Sequence, residues 1–240
     1  MTFDTPTAKR TYVNNMFGRI AYRYDLVNRL MAAGLDVGWR NALIDATPLA
    51  PGARMLDIAT GTGDVIFTAA HRQPLLGLMV GADFTLPMLD VGRQRALDNH
   101  LAPTHHVRWT AADTLSIPFS DDSFDVVTSA FLMRNVVDVT AAVREQARVT
   151  RRGGRVLTMD VPRPPDTLWG HLFRLYFHRF MPIFCGLISG QPDAYIYLPH
   201  SADAFLSPEE FSQVMRSVGL KDVHHQTLLQ GAVALHFGTK

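Results

Sequence analysis

Between positions 55 and 64 the chain reads MLDIATGTGD, an apolar run that ends in a Gly-x-Gly turn followed by an acid. The run is typical of a buried strand, and the residues after the turn, 64–71, have the spacing of a helix. Glycines such as Gly61 and Gly63 allow the backbone of a strand-to-helix turn to approach a ligand closely. The stretch therefore predicts a ligand site at the end of a strand, although a tight turn that binds nothing would give the same short motif.

Short apolar runs alternate with helical patterns along most of the chain. The predicted strands cover residues 54–59, 78–82, 107–111, 124–130, 155–161, 222–229 and 232–237. The predicted helices cover residues 64–71, 87–99, 140–148 and 208–218, the last with Ser207 as its N-cap. This alternation indicates an α/β fold, in which a mostly parallel seven-stranded sheet carries helices on both faces. Gln230 and Gly231 separate the last two runs, which we expect to form a hairpin that adds an antiparallel C-terminal strand at the sheet edge.

The segment before the first predicted strand is helical in pattern. Residues 12–47 carry apolar side chains at helical spacing, with Gly34 and Gly38 as interruptions. Pro48 and Pro51 are expected to end the last of these helices.

Composition excludes several classes of protein. A net charge of +1 over 240 residues gives no indication of a protein that binds nucleic acid. The single cysteine, Cys185, cannot form an internal disulfide and fits a reducing cytoplasm. The N-terminal sequence MTFDTPTAKR lacks the apolar run of a signal peptide, so we expect a cytoplasmic protein. The ten histidines show no metal-ligand spacing, and we expect no metal site.

One stretch, residues 168–188, is apolar enough to raise the question of a membrane. It reads LWGHLFRLYFHRFMPIFCGLI and is interrupted by His171, Arg174, His178 and Arg179. A membrane-spanning helix rarely accepts so many polar groups. We therefore interpret the stretch as amphipathic, either as a wall of the core or a substrate pocket, or as a peripheral contact with the inner face of a membrane.

Acidic residues follow three of the predicted strands. Asp57 ends the first strand and Asp113 follows the third, while Asp83 ends the second, twenty residues after Gly63. The ends of parallel strands meet at one edge of an α/β sheet, where ligands bind. A carboxylate at Asp83 can accept from both ribose hydroxyls of an adenosine, and one at Asp113 can accept from the adenine amino group. Ile66 stands where a dinucleotide-binding turn has its third glycine, which argues against a pyrophosphate and for a nucleoside such as S-adenosylmethionine.

Several motifs resemble those of class I methyltransferases. They are the turn at 57–63, the acids Asp83 and Asp113, the strand FDVV at 124–127, and RGGR at 152–155. More narrowly, the chain resembles the ubiquinone/menaquinone-biosynthesis C-methyltransferase family from about residue 12 to its end. The segments that carry this likeness are FGRIAYRYDLVN (17–28), TGTGD (60–64), RNV (134–136), DAYIYL (193–198) and GAVALHFG (231–238).

The resemblance implies a Rossmann-like enzyme that uses S-adenosyl-L-methionine to C-methylate the ring of a prenylated quinol. The residues implied for the cofactor are Asp57, Gly61, Thr62, Gly63, Asp83, Phe84, Asp113, Thr114 and Ala130. Arg134 is expected to stabilise the quinolate as it forms and to position a water that takes the proton, because a guanidinium is a poor base. A structural salt bridge is the alternative for Arg134. Asn135 could orient the quinol hydroxyl or cap a helix, and Tyr197 could hydrogen-bond to the quinol or pack in the cover.

We expect one domain, 1–240, in four parts. These are a helical N-terminal cover (1–50), a cofactor-binding core (53–161), an acceptor-side insertion (162–205), and a C-terminal helix and hairpin (206–240). Aromatic residues of the cover and the insertion suit a flat ring and a prenyl tail, and they are Tyr22, Tyr24, Trp169, Phe173, Tyr176, Phe177 and Phe180.

Two segments depart from the family pattern on the acceptor side. The family's Phe-Gly-Leu-Arg-Asn is FLMRN at 131–135, after Ala130 in place of a family serine, and its Glu-Phe-Ser-Lys-Pro is DVPRP at 160–164. A small-molecule C- or O-methyltransferase of secondary metabolism is therefore the main alternative. An NAD-dependent oxidoreductase and a non-catalytic scaffold that binds S-adenosylmethionine are two others. The sequence leaves open which quinone is used, the length of its tail, and whether the chain forms a homodimer.

Overall fold

The computed structural model describes residues 3–46, 49–98 and 106–240, and within these ranges seven strands form one sheet. The strands are β1 (Met55–Ile58), β2 (Leu78–Asp83), β3 (His106–Ala111), β4 (Phe124–Ala130), β5 (Thr150–Asp160), β6 (Lys221–Leu228) and β7 (Val233–Thr239). Their order is β3-β2-β1-β4-β5-β7-β6, with β1 to β5 parallel and β7 antiparallel to both of its neighbours. The predicted mostly parallel sheet with an antiparallel C-terminal strand is confirmed, and the hairpin places β6 outside β7.

The helices follow the predicted pattern with small shifts. They are α1 (Pro6–Ile20), α2 (Tyr24–Met31), α3 (Asp36–Asp45), α4 (Asp64–Arg72), α5 (Leu86–Asp98), α6 (Val139–Val149), α7 (Leu168–Leu175), α8 (Met181–Ser189), α9 (Pro192–Asp203) and α10 (Pro208–Ser217). Ser207 caps α10, as predicted, in a capping box with Glu210. Pro48 and Asn99, expected to end α3 and α5, lie outside the described residues.

The two predicted interruptions of the N-terminal cover have different outcomes. Gly34 follows α2 with φ 78°, a conformation that stops a helix, so this prediction is confirmed. The predicted break at Gly38 is wrong, because α3 begins at Asp36 and runs through it. A glycine inside a helix costs only about 1 kcal/mol. The burial of Leu43 and Ile44 against the sheet outweighs that cost.

The sheet is buried on both faces. Met55 of β1 packs in a cluster with residues of α3 and α4, and its neighbour Leu56 packs in another cluster with Val80 and Val127. Successive residues of a strand point to opposite faces, so both faces of β1 are covered. The near-continuous apolar run at 55–58 is therefore a central parallel strand, and neither of its faces is exposed to water.

The N-terminal cover packs against the acceptor-side insertion. Met16 and Val27 of the cover share one buried cluster with Phe177, Met181 and Tyr195 of the insertion. These two segments lie far apart in the chain, and their apolar faces are buried by each other. Together they build a helical layer next to the sheet.

A chain of ion pairs ties the N-terminal cover to the glycine turn. Asp64, the first residue of α4, pairs with Arg40 of α3 and, at 2.7 Å, with Arg95 of α5. Arg95 also pairs with Asp25 of α2 at 2.8 Å, and Asp25 accepts a 2.5 Å hydrogen bond from the Thr62 hydroxyl. Arg40 is buried and also pairs with Asp36 at 2.5 Å, so two carboxylates compensate its charge. Loss of Arg40 would leave the buried Asp36 carboxylate with only the more distant Arg29 among the described residues, at 3.4 Å, which is destabilising.

The apolar stretch at 168–188 forms α7, a π-helical turn (Tyr176–Phe180) and α8 without a break. Phe177 and Met181 are buried, whereas Leu172, Ile183 and Leu187 are exposed, so the segment is amphipathic as expected. No helix in residues 3–46, 49–98 and 106–240 has both the length and the apolar character needed to cross a bilayer.

His236 of β7 gives the fold a pH dependence that can be measured. Its side chain is buried and Nε2 donates to the carbonyl of Pro208 at 2.9 Å, and burial lowers the pKa of His236 to about 4. The unfolded chain takes up this proton near the ordinary pKa of 6.5, so the free energy of unfolding falls as the pH drops from about 6.5 to about 4.

We therefore expect His236→Gln to flatten the pH dependence of stability. The wild type should lose at most about 3 kcal/mol more than the variant over this window. Urea unfolding at a series of pH values measures the difference. Equal slopes for the two proteins between pH 6.5 and 4 would contradict the burial argument.

Candidate active site

Two cavities lie side by side and share a wall of three aromatic residues. The first, here called the strand-end cavity, has a volume of about 130 Å³ and lies where β1, β2, β3 and β4 end. The second, here called the apolar cavity, has a volume of about 290 Å³ and is lined by the cover and the insertion. Phe17, Tyr24 and Phe131 line both. A group that passes between ligands in the two cavities has to pass these rings.

Asp83 is fixed at the floor of the strand-end cavity. Its carboxylate accepts from the backbone N–H of Gly61 at 2.8 Å and from that of Thr85 at 2.7 Å. Burial is the main cause that raises the pKa of Asp83. Gly61 has φ 56° and open space where a Cβ would be, so the turn comes close to the cavity without a side chain in between.

Asp57 and Thr62 stand behind the turn rather than in the cavity wall. The Asp57 carboxylate accepts from the Thr128 hydroxyl at 2.6 Å, and burial raises the pKa of Asp57 to about 7. Thr62 turns its hydroxyl to Asp25, and Gly63 packs against Trp109, where an added Cβ would stand 2.5 Å from the indole. The structure thus brings Asp57, Thr62 and Gly63 close to the cavity but not to its surface.

The remaining residues predicted for the cofactor line the strand-end cavity. They are Phe84, Asp113, Thr114 and Ala130. The hydroxyl of Thr114 is buried and finds no hydrogen-bond partner among the described residues. The same holds, within the described part of the chain, for the amide oxygens of Asn14 and Asn135, which line the same cavity. Such orphaned buried groups are costly unless a ligand satisfies them.

These features fit an adenosine-type ligand such as S-adenosylmethionine. Fixed acids stand at the ends of β2 and β3, an aromatic ring lies beside them, and a glycine turn leaves room for close approach. The described residues contain no group of three or more His, Cys, Asp or Glu side chains arranged to hold a metal ion.

Arg134 lies in the wall of the apolar cavity and in a buried ion pair. Its Nη1 bonds to the Asp160 carboxylate, and its guanidinium carbon lies 5.4 Å from the centre of the Phe131 ring. Nε is buried and has no partner within the described ranges. The salt bridge expected as the alternative for Arg134 is therefore present, and it leaves the Nε of the guanidinium without a hydrogen-bond partner among the described residues.

Asn135 and Tyr197 have different surroundings. Asn135 lines the strand-end cavity, and its amide donates to the carbonyl of Phe131 at 3.0 Å. Tyr197 lines neither cavity and packs against Tyr12, with ring centres 5.5 Å apart. Burial raises the pKa of Tyr197 to about 12. The structure therefore does not bring Tyr197 to the cavities. This agrees with the alternative in which Tyr197 packs in the cover and does not hydrogen-bond to the quinol.

Five of the seven aromatic residues expected to suit a flat ring line the apolar cavity. They are Tyr24, Trp169, Phe173, Tyr176 and Phe177. Tyr22 and Phe180 point to solvent instead, with exposed fractions of 85% and 62%. Polar groups in this cavity are few, so its wall suits a mainly apolar aromatic molecule.

Two residues that line the strand-end cavity hold strained backbone conformations. Ala59 follows β1 with φ 56°, and Phe131 follows β4 with φ 58°. This left-handed region costs non-glycine residues on the order of 1–3 kcal/mol and persists only where the surroundings enforce it. The backbone N–H of Phe131 donates to the carbonyl of Met159 at 2.7 Å, which helps to hold the ring in the shared wall.

The sequence analysis missed Arg10. This residue of α1 lines the strand-end cavity, pairs with Asp113 at 2.8 Å, and stacks its guanidinium 4.4 Å from the centre of the Phe84 ring. Its partners lie far along the chain, and no local motif marks it. The only available sign was the helical spacing that it shares with Val13 and Phe17.

Comparison with known proteins gives consistent results. A family model described as the ubiE/COQ5 methyltransferase family matches residues 5–240. A demethylmenaquinone methyltransferase of Roseiflexus castenholzii is 42% identical over 98% of this chain and 96% of its own length. A ubiquinone/menaquinone biosynthesis C-methyltransferase UbiE of Geotalea daltonii is 38% identical over 98% of both chains.

Among solved structures, the fold is similar to that of phosphoethanolamine N-methyltransferase 2 from Haemonchus contortus in complex with S-adenosyl-L-methionine. The TM-score is 0.62 at 18% identity, over 85% of this chain and 52% of the other. This likeness supports the class I methyltransferase fold, and the family match extends over nearly the whole chain. The chain therefore belongs to the ubiE/COQ5 methyltransferase family.

Proposed function

We propose that this enzyme transfers a methyl group from S-adenosylmethionine to a ring carbon of a prenylated quinol in menaquinone or ubiquinone biosynthesis. One observation carries the proposal: a strand-end cavity with fixed acids meets a larger apolar cavity at three aromatic rings, and Arg134 stands at that junction. The names of the relatives support the same chemistry.

A methyl-transfer assay with two acceptors tests this function. We expect methylation of a demethylmenaquinol analogue or of a demethoxy-benzoquinol analogue, each supplied with S-adenosylmethionine. The ratio of the two kcat/KM values then shows which quinol the enzyme prefers. Methylation of small tail-less phenols instead of both quinols would favour a methyltransferase of secondary metabolism.

On the cofactor side, each proposed residue has a distinct task. Asp83 would accept from the ribose hydroxyls and Asp113 from the adenine amino group, with Phe84 against the base and Thr114 and Ala130 in the wall. Asp57, Thr62 and Gly63 would hold the turn that presents Gly61. The bound cofactor supplies a methyl group already activated by a sulfonium. The protein must therefore align the two ligands and keep them dry.

On the acceptor side, Arg134 would stabilise the negative charge that develops on the quinol oxygen. A quinol carbon becomes nucleophilic once the hydroxyl loses its proton, which a water positioned by Arg134 would accept, so a cation at this oxygen lowers the barrier. The pair with Asp160 fixes the guanidinium in a dry site, where such an interaction is stronger than in water. Asn135, whose unbonded amide oxygen belongs to the strand-end cavity, would orient the hydroxyl from the cofactor side.

We expect Arg134→Lys to separate this role from the ion pair. The lysine keeps a positive charge beside Asp160 but loses the planar fork, so kcat should fall by on the order of a hundredfold while cofactor binding and the melting temperature change little. Raising the pH should recover part of the lost activity, because bulk base then forms the quinolate.

Asp160→Asn is the matched control, because it removes the ion pair that the lysine variant keeps and leaves the guanidinium in place. If the two variants lose kcat equally and neither regains activity at higher pH, the arginine has only a structural role. Steady-state kinetics against pH, with a thermal melt beside each, decides between the two.

We further propose that the enzyme docks on the inner face of a membrane, from which a water-insoluble quinol is collected. Residues 168–189 contain no acid, and their exposed side includes Leu172, Ile183 and Leu187 as well as Arg179. An apolar face edged by cations suits an anionic bilayer surface. Trp169 and Tyr176, partly exposed, lie at the rim of the apolar cavity next to this face.

Vesicle flotation tests the docking surface. We expect the wild type to float with vesicles of phosphatidylcholine and phosphatidylglycerol, and the double variant Ile183→Asp with Leu187→Asp to stay at the bottom. Leu97→Asp, an equally exposed leucine on α5, should float like the wild type. Flotation of all three proteins would contradict the proposal. A wild type that does not float but forms a dimer which the double variant loses would make this face an interface between copies.

The four-part division of the chain follows the same proposal. Residues 1–50 and 162–205 would enclose the quinol, residues 53–161 would hold the cofactor, and residues 206–240 would complete the sheet and one helical layer.

A further inference from the structure

The first helix forms one wall of the strand-end cavity. Arg10, Val13, Asn14 and Phe17 line the cavity at intervals of three and four residues, which is one face of α1. Phe17 belongs to the wall shared with the apolar cavity. Helix α1 of the cover therefore contributes directly to the strand-end cavity, together with the residues at the strand ends.

Arg10 joins the two side chains that the cofactor's base would meet. Its Nη2 lies 2.8 Å from Oδ2 of Asp113, and its guanidinium carbon lies 4.4 Å from the centre of the Phe84 ring. Asp113 follows β3 and Phe84 follows β2, so one side chain from the cover bridges two strand ends. A planar guanidinium can stack on a ring and donate to a carboxylate at the same time, which an ammonium cannot.

The neighbouring residue anchors the same turn of α1 to a third strand end. Lys9 Nζ donates to the carbonyl of Val136 at 2.9 Å and lies 3.5 Å from that of Arg134. Arg134 and Asn135 follow β4. The position of Arg10 over Phe84 and Asp113 is therefore fixed by a separate contact and does not depend on the ion pair alone.

The contacts of Arg10 contribute little to folding. The Arg10 side chain is 47% exposed, and a partly exposed ion pair is nearly neutral for stability because water and salt screen it. Within the described residues, the buried clusters of the cover are built from other side chains of α1, chiefly Met16 and Ile20. A role in ligand binding explains the two precise contacts better than a role in folding.

We infer that Arg10 is a positioning residue for S-adenosylmethionine, which it holds indirectly by fixing the Asp113 carboxylate and the Phe84 ring on either side of the adenine site. The inference rests on the cofactor assignment within the proposed function and is independent of the identity of the acceptor. It makes the cover part of the cofactor site as well as of the acceptor site.

Calorimetric titration with S-adenosylhomocysteine tests the inference without any acceptor. We expect Arg10→Ala to weaken binding by about tenfold, because the Asp113 and Phe84 side chains must then be ordered when the ligand binds, while the melting temperature stays unchanged because the lost contacts are partly exposed. Arg10→Lys should recover only part of the affinity. Arg93→Ala, which removes an exposed ion pair with Asp90 on α5, is the matched control and should bind like the wild type.

Two further readouts separate positioning from a general structural effect. Because Arg10 acts through Asp113, the loss caused by Asp113→Asn should be several-fold smaller in the Arg10→Ala background than in the wild type. Added salt should weaken binding more in the wild type than in Arg10→Ala, since only the wild type has this ion pair to screen.

The inference is overturned if Arg10→Ala binds as tightly as the wild type, if it binds more tightly, or if the losses at Arg10 and Asp113 simply add. Failure of the wild type itself to bind S-adenosylhomocysteine would instead overturn the cofactor assignment on which the proposed function depends.

Discussion

The arrangement of the site depends on the ion pairs around Asp64. This carboxylate begins the helix after the glycine turn, and it holds Arg40 of the cover and Arg95 of α5 at the same time. An acid at a helix N-terminus also faces the positive end of the helix dipole. Buried ion pairs are poor sources of net stability, but they constrain geometry because each buried charge has to stay close to an opposite one. The cover is thus held in a fixed position against the glycine turn, and it forms one wall of each cavity.

The fold, and the positions of the acids at the strand ends, were predictable from sequence because they follow from local patterns. The apolar strands, the glycine turn and the acids at Asp83 and Asp113 are each encoded within a few residues, and parallel topology brings their ends together. The same locality explains why some residues of the motif do not line the strand-end cavity. Thr62 and Gly63 belong to the motif, yet one turns to Asp25 and the other to Trp109, contacts that no local pattern contains.

The acceptor side was harder to predict because it is built from residues far apart in the chain. Arg134 was found through a family motif, but its partner Asp160 lies in another strand and was noticed only as a departure from the family pattern. Tyr197 was chosen on the same grounds and packs beside Tyr12, away from the cavities. Arg10 lies in no motif and reaches Asp113 through the tertiary structure alone. Gly38 shows the converse case, in which burial of neighbouring side chains overrides a local propensity.

The left-handed backbone at Phe131 connects the partition between the two cavities with the packing of the sheet. Glycine would adopt φ 58° without strain, but it would delete a ring that packs against the core cluster of the sheet and lies beside the Arg134 guanidinium. It would also open a path for water between the two cavities. The strain, on the order of 1–3 kcal/mol, persists because the packing of the ring outweighs it. A variant that relieved the strain would therefore lose both stability and protection of the activated methyl group from side reactions with water.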